Sequence, residues 1–211
     1  AGKVDKKHMV SIVDLLPTVL DSLNVSKPKR LDGRSFYSVL QGEKQDNRDF
    51  VIKEYNENAG RSRDPMRGIQ TKTHLFLFNP WSNGERVFAT ATNGTVTCKR
   101  MIKLAQDDEQ MNERLELYRY RVPQELYHVK RDPDCLENLI HNPTHEKVKN
   151  KLMVLLEEWM ERTKDPILEC FRKRDDPEFV EAYIQKLEEE ANARRIKQKP
   201  STKPKKEKKK S

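Results

Sequence analysis

Gly68-Ile69-Gln70-Thr71-Lys72-Thr73-His74-Leu75-Phe76-Leu77-Phe78 fixes the fold class. Two β-prone runs flank Thr71-Lys72-Thr73, the pattern of a hairpin. Upstream, Phe50-Val51-Ile52 leads into Glu54-Tyr55 as another short strand, and downstream Glu125-Leu126-Tyr127-His128-Val129 reads as the last one. Asn79-Pro80-Trp81-Ser82-Asn83-Gly84 is a turn cluster, and residues 99–117 are weakly helical. Helices lie on either side of the strands. Residues 8–25 read as one helix: Ser11 and Asp14 form a capping-box-like start, and Ile12, Leu15, Leu16, Val19, Leu20 and Leu23 supply an apolar face. Pro17 is expected to kink it or loosen its first turns. At the other end, Val148, Leu152, Leu155, Leu156 and Trp159 form one apolar stripe, and Phe179, Tyr183, Leu187 and Ala191 another after Asp175-Asp176-Pro177. The order helix, strands, helices makes the chain α+β.

Hydrophobic residues make up 35% of the 211 and charged residues 36%, a balance that suits a modest core carrying long solvated helices. The net charge of +8 is misleading. From Arg194 onward ten Lys and Arg face the single acid Glu207, a surplus of nine, so the remainder of the chain carries −1. Residues 193–211 are expected to be a disordered Lys-rich tail, having almost no apolar residue to repay ordering entropy. Such a tail could hold a polyanion (nucleic acid, acidic lipid or sulfated glycan) through counterion release. It has no aromatic residue to stack on bases, which argues against sequence-selective nucleic-acid binding. No apolar run approaches the length of a membrane span. The opening Ala1–Lys7 has no apolar run behind its charges and no initiator Met, and reads as the beginning of a fragment. Cys98, Cys135 and Cys170 are too few and too scattered for a disulfide framework.

No catalytic constellation stands out. His141 and His145 have the spacing of two metal ligands on a helix, but Asn142-Pro143 between them favours a helix-start turn. Glycine-rich phosphate loops, Gly-x-Ser-x-Gly elbows and acidic calcium loops are absent from the sequence. The richest candidate is the polar loop between the first two strands, offering Glu54, Glu57, Asn58, Arg61, Arg63 and Arg67 around Gly60. Guanidinium groups bind sulfates and carboxylates through paired hydrogen bonds, and Asn or Glu can bind sugar hydroxyls. The competing reading is a solvated loop with internal salt bridges.

Met9 to Asp21 resembles the sulfatase segment that follows the catalytic lysine region, and Asp32-Gly33-Arg34-Ser35-Phe36 with Leu40-Gln41-Gly42 resembles the stretch downstream of it. Glu125-Leu126-Tyr127-His128-Val129, Asp132-Pro133 and Glu137-Asn138-Leu139 are similar to the family's "ELYDL..DP.E..NL" signature. Trp159, Thr163, Asp165 and Pro166 extend it as in N-sulfoglucosamine sulfohydrolases (heparan N-sulfatases) and their bacterial relatives. The resemblance covers roughly residues 1–190. It implies that residues 1–45 are the end of an alkaline-phosphatase-like α/β domain and 46–192 a small antiparallel-sheet domain with packed helices. It further implies a sulfated glycan as substrate, an upstream sulfatase domain as partner, export from the cytoplasm, and a calcium ion and formylglycine in the upstream domain. No catalytic residue carries over. The three cysteines are followed by Lys-Arg-Met, Leu-Glu-Asn and Phe-Arg-Lys, not by the Cys/Ser-x-Pro/Ala-x-Arg pattern that yields formylglycine.

Overall fold

Ser11 starts the first helical element, because its N–H donates to Asp14 Oδ2 at 2.7 Å. In this computed structural model, which describes residues 2, 4–45, 48–57 and 63–197 and side chains as far as Arg194, a 3-10 turn over Ile12–Asp14 runs into α1 (Leu15–Ser22). The helix is therefore shorter than residues 8–25. The chain before Ser11 is not helical, and Asn24, with φ 54°, turns it away at the other end. Pro17 leaves the helix running to Ser22, and the turn before it is 3-10 rather than α-helical. The proline occupies the third helical position, where an N–H would have no intrahelical acceptor. Asp14 is fully buried and does more than begin the helix. Its Oδ1 accepts the Arg34 N–H at 2.8 Å and pairs with Arg48, tying the Asp32-Gly33-Arg34 loop beneath the 3-10 turn. Gly33 lies so close that a Cβ there would stand 1.9 Å from the Val13 carbonyl oxygen. Thr18 donates to the Asp14 carbonyl at 2.6 Å and accepts the Phe36 N–H at 3.0 Å, holding α2 (Tyr37–Leu40) alongside.

Four strands follow: β1 (Phe50–Tyr55), β2 (Met66–Thr71), β3 (Leu75–Phe78) and β4 (Gln124–Tyr127). They form one antiparallel sheet in sequence order. The register sets Ile52 opposite Ile69, Ile69 opposite Phe76 and Phe76 opposite Leu126, gathering these apolar residues on a single face. The hairpin closes where the Thr71 N–H donates to the His74 carbonyl at 2.8 Å. β4 stops at Tyr127, short of the expected Val129, because the His128 carbonyl accepts the Arg131 and Asp132 N–H groups and curls the chain. Its free edge is then covered: the Leu126 N–H donates to Asn138 Oδ1 at 2.9 Å, and its carbonyl accepts the Leu139 N–H at 2.7 Å.

The weakly helical 99–117 stretch is two helices, α3 (Val96–Leu104) and α4 (Glu109–Tyr120). Asp108 separates them, its side chain accepting the Met111 N–H at 3.0 Å as a new N-cap. Then come α5 (Glu146–Thr163), α6 (Leu168–Arg172) and α7 (Pro177–Lys197). Leu152, Leu156 and Met160 of α5 and Phe171 of α6 bury against Ile69, Phe76, Phe78 and Leu126 of the sheet. Each such side chain contributes roughly 1.5–3 kcal/mol by leaving water. A second cluster holds Trp81, stacked on Phe88 at 5.1 Å, under Ile184 of α7. Within α7 the inward residues are Ile184 and Ala191, with Tyr183 and Leu187 partly buried. The helix continues to Lys197, so its last residues are ordered beyond the boundary expected at 192; the rest of the expected tail, 198–211, lies outside the described residues. No helix among the described residues is long and apolar enough to cross a membrane.

Candidate functional site

β1 ends at Tyr55 and β2 begins at Met66, so the polar segment between them leaves and re-enters at one end of the sheet. Two of the residues expected to bind substrate, Asn58 and Arg61, fall outside the described residues. Glu57 and Arg63 come together, the Arg63 Nε donating to Glu57 Oε2 at 3.3 Å. Both reach α7: Arg63 Nη1 donates to Glu190 Oε2 at 2.9 Å, and Arg194 Nη2 donates to Glu57 Oε2 at 2.8 Å. The hydrogen bond from Arg194 holds the Glu57 carboxyl below its usual range. Glu54 is exposed at the rim, accepting the Asn56 Nδ2 at 2.8 Å.

Arg63 forms a wall shared by two hollows of about 220 Å³ each. One is bounded by Asn56, Glu57 and Pro65 of the segment, by Pro166 and Ile167, and by Tyr183 and Leu187 of α7. The other is bounded by Asp64, Arg86, Val87, Ala89, Glu188, Ala191 and Asn192. Arg86 is held there by a fork onto Glu181, at 2.7 and 2.6 Å, and by Glu188 at 2.9 Å. Each of these guanidinium groups is thus already balanced by carboxylates. The surface offers mixed donors and acceptors, which suits hydroxyl-rich ligands better than an isolated anion.

Arg67 must be taken out of the binding set. It is 0% exposed, and its guanidinium is consumed inside the domain. Nε and Nη2 grip Asp165 at 2.6 and 3.1 Å, while Nη1 donates to the Tyr55 and Met66 carbonyls at 3.0 and 2.9 Å. Asp165 in turn accepts the Ile167 N–H at 2.9 Å. The sequence grouped Arg67 with the loop because it follows Arg61 and Arg63; in the sheet it is the second residue of β2, turned inward. One signal was available: an arginine beside Gly68-Ile69 within a strand needs a buried partner. Spacing could not have found that partner, 98 residues downstream.

Glu125, Leu126, Tyr127 and Leu139 of the signature are also buried, while Glu137 and Asn138 stay exposed. Glu125 is fully buried, accepting Arg121 Nε and Nη2 at 2.8 and 2.5 Å, Tyr127 Oη at 2.6 Å and Asn79 Nδ2 at 2.5 Å. Burial pushes the Tyr127 phenol far up. Arg121 itself sits at φ 49°, a backbone strain that the fork onto Glu125 holds in place. Asp132 caps the following loop through the Leu136 and Glu137 N–H groups at 2.8 and 2.9 Å. His145 ends the 3-10 turn Pro143–His145, as Asn142-Pro143 led one to expect of a helix start.

The calcium ion and formylglycine that the resemblance implies find no fit among the described residues. Cys98 and Cys170 are buried thiols, that of Cys170 pushed up to about 12 by desolvation, and burial also raises Cys135. No described group of three or more His, Cys, Asp or Glu could hold a metal ion.

Residues 1–84 match the family model described as N-sulphoglucosamine sulphohydrolase, C-terminal. An ulvan-active sulfatase of Formosa agariphila is 27% identical over 164 residues, covering 77% of this chain and 31% of that protein. A Δ4,5-hexuronate-2-O-sulfatase of Bacteroides thetaiotaomicron is 23% identical, covering 72% and 24%. A solved structure of a putative sulfatase from Bacteroides thetaiotaomicron aligns with a TM-score of 0.48 and 23% identity, over 72% of this chain and 25% of that one. The chain therefore spans less than a third of the length of the curated relatives it matches.

Proposed function

Starting from a chain that matches sulfatases as their C-terminal portion, we propose that it completes an enzyme hydrolysing sulfate esters or sulfamates of sulfated glycans. The observation that carries this reading is the pair of matches: the family model over residues 1–84, and two curated sulfatases over most of the chain. In this reading the nucleophile and calcium belong to a preceding catalytic domain, and this portion supplies fold completion and substrate contacts. The unpartnered apolar face of α1 supports the first role. Ile12 is 83% exposed and Leu23 67%, with Leu15, Leu16 and Val19 also open, a surface suited to packing under a larger domain.

For the second role the candidates are Glu54, Glu57, Asn58, Arg61 and Arg63, Arg67 being committed to Asp165. The straps onto α7 support it, since a preorganised carboxylate and guanidinium lose less entropy on meeting a sugar. Both relatives' names join sulfatase to a glycan, as ulvan-active and as hexuronate-2-O, which favours a sulfated sugar over a small ester.

The test compares two proteins on an aryl sulfate and a sulfated oligosaccharide: the 211-residue chain, and the same chain following a sulfatase catalytic domain. The chain alone should match a buffer blank, and the joined protein should turn over both substrates. In the joined protein, Arg61→Ala and Arg63→Ala should lose at least about tenfold in kcat/KM on the oligosaccharide, the loss of a charge-assisted hydrogen bond of about 1.5–3 kcal/mol. The aryl sulfate should be spared. Activity of the chain alone would refute the division of labour, and equal rates on both substrates would reduce the loop to a connection.

A further inference from the structure

The three histidines nearest the hairpin turn are brought together by three different elements. His74 immediately precedes β3 and His128 immediately follows β4, and the pairing of Leu75 with Tyr127 makes them the next pair of the same ladder. Their ring centroids are 4.6 Å apart. His145, the residue before α5, closes the group at 5.5 Å from His74 and 6.5 Å from His128. Sequence spacing pairs His145 with His141; its actual neighbours come from 71 and 17 residues upstream.

We propose that His74, His128 and His145 form a pH-sensitive latch joining the β2–β3 turn to the start of α5. The latch closes on a shared proton. His74 Nε2 and His145 Nδ1 stand 3.4 Å apart, so one ring donates and the other accepts. When His74 is the acceptor and takes up a second proton, both facing nitrogens carry hydrogen and the hydrogen bond is lost. Every charged or titratable group bearing on His74 works the same way. Burial, His128, His145 and the Arg131 guanidinium all oppose its proton and hold its pKa below the ordinary value of 6.5. His145 additionally stands at the positive end of the α5 dipole. On the turn side, the Thr71 N–H donates to the His74 carbonyl at 2.8 Å and the His74 N–H to Thr71 Oγ1 at 3.0 Å, so displacing the ring disturbs the hairpin closure. On the helix side, Leu152 and Leu156 are fully buried, which confines opening to the first turn of α5. No described group of three or more His, Cys, Asp or Glu is arranged to hold a metal ion.

The sign follows from the lowered folded pKa. Stability from the neutral ring is complete above the unfolded value near 6.5 and is lost as the pH falls from there through the folded value. The experiment is amide hydrogen exchange on the full chain between pH 7.5 and 5.0, with intrinsic rates corrected. Protection in peptides covering 71–76 and 146–150 should fall at least about fivefold on acidification, in the direction the lowered His74 pKa requires. β1 and the second half of α5 should change less than about twofold. His74→Gln keeps a hydrogen-bonding side chain without a titration, and should flatten the pH response at 146–150. If that variant does not fold, His128→Gln should diminish the response. An unchanged wild-type profile would overturn the latch. So would a full pH response in both variants, or a gain in protection on adding Zn²⁺ at pH 7.5, which would make the trio a cation site.

Discussion

Arg67 and Arg63 illustrate how four residues of sequence separate two kinds of arginine. The fork between Arg67 and Asp165 is sealed from water, whereas Arg63 bridges Glu57 and Glu190 at the surface. Removing one partner of a buried pair leaves the other charge without compensation. Asp165→Ala or Arg67→Ala should therefore cost about 3–5 kcal/mol in urea denaturation. Arg67→Lys should recover little, since a single ammonium cannot meet Asp165 and two carbonyls with the geometry of a fork. Arg63→Ala should cost less than about 1 kcal/mol by the same measurement, in keeping with its partly solvated pairs. Comparable losses at both positions would mean that burial does not separate them. Glu125 belongs with Arg67. Its place in a recognisable motif reflects four converging hydrogen bonds at the β4 edge rather than contact with a ligand.

Among the elements, α4 owes its independence to one side chain. Asp108 caps it, and without the cap the chain from Val96 to Tyr120 has no local reason to restart a helix there. Asp108→Ala should lower stability by about 1 kcal/mol, read as a drop in Tm; Asp108→Asn or Asp108→Ser should be nearly silent. The 3-10 turn at Ile12–Asp14 depends on a close approach instead. Gly33→Ala would push a methyl into the Val13 carbonyl and Asp14 N–H, at 1.9 and 2.9 Å. It should detach the Asp32-Gly33-Arg34 loop from Asp14. Amide exchange would then report lost protection at Arg34 and Phe36, with the four-stranded sheet unaffected.

Across the whole molecule the apolar surface is unevenly covered. The sheet buries its face under α5 and α6, while Ile12, Leu15, Leu16, Val19 and Leu23 have no cover. The isolated chain should self-associate through that face, seen in sedimentation as a weight-average mass rising with concentration. Leu16→Glu should reduce the rise without shifting the melt of the sheet domain. A concentration-independent monomer would mean that the face is not adhesive and would weaken its assignment as a docking surface for a catalytic domain.

The α+β class, the hairpin at Thr71–His74, the cap pair at Ser11 and Asp14 and the stripe of α5 were all legible in the sequence. Each is set by local periodicity, turn chemistry or a three-residue contact. The resemblance to sulfatases was legible too, from short motifs in order, and residues 1–84 match the model described as N-sulphoglucosamine sulphohydrolase, C-terminal. What the sequence could not decide was which polar residues face inward. Arg67 meets Asp165 and Glu125 meets Asn79 and Arg121 only after strands and helices pack; His74 meets His145 only when α5 crosses the sheet. A side chain's burial and partners depend on contacts tens of residues apart, which no local pattern encodes. The candidate loop therefore lost Arg67 to the interior, and Glu57 and Arg63 took partners on α7, because tertiary packing alone determines which charges water still reaches.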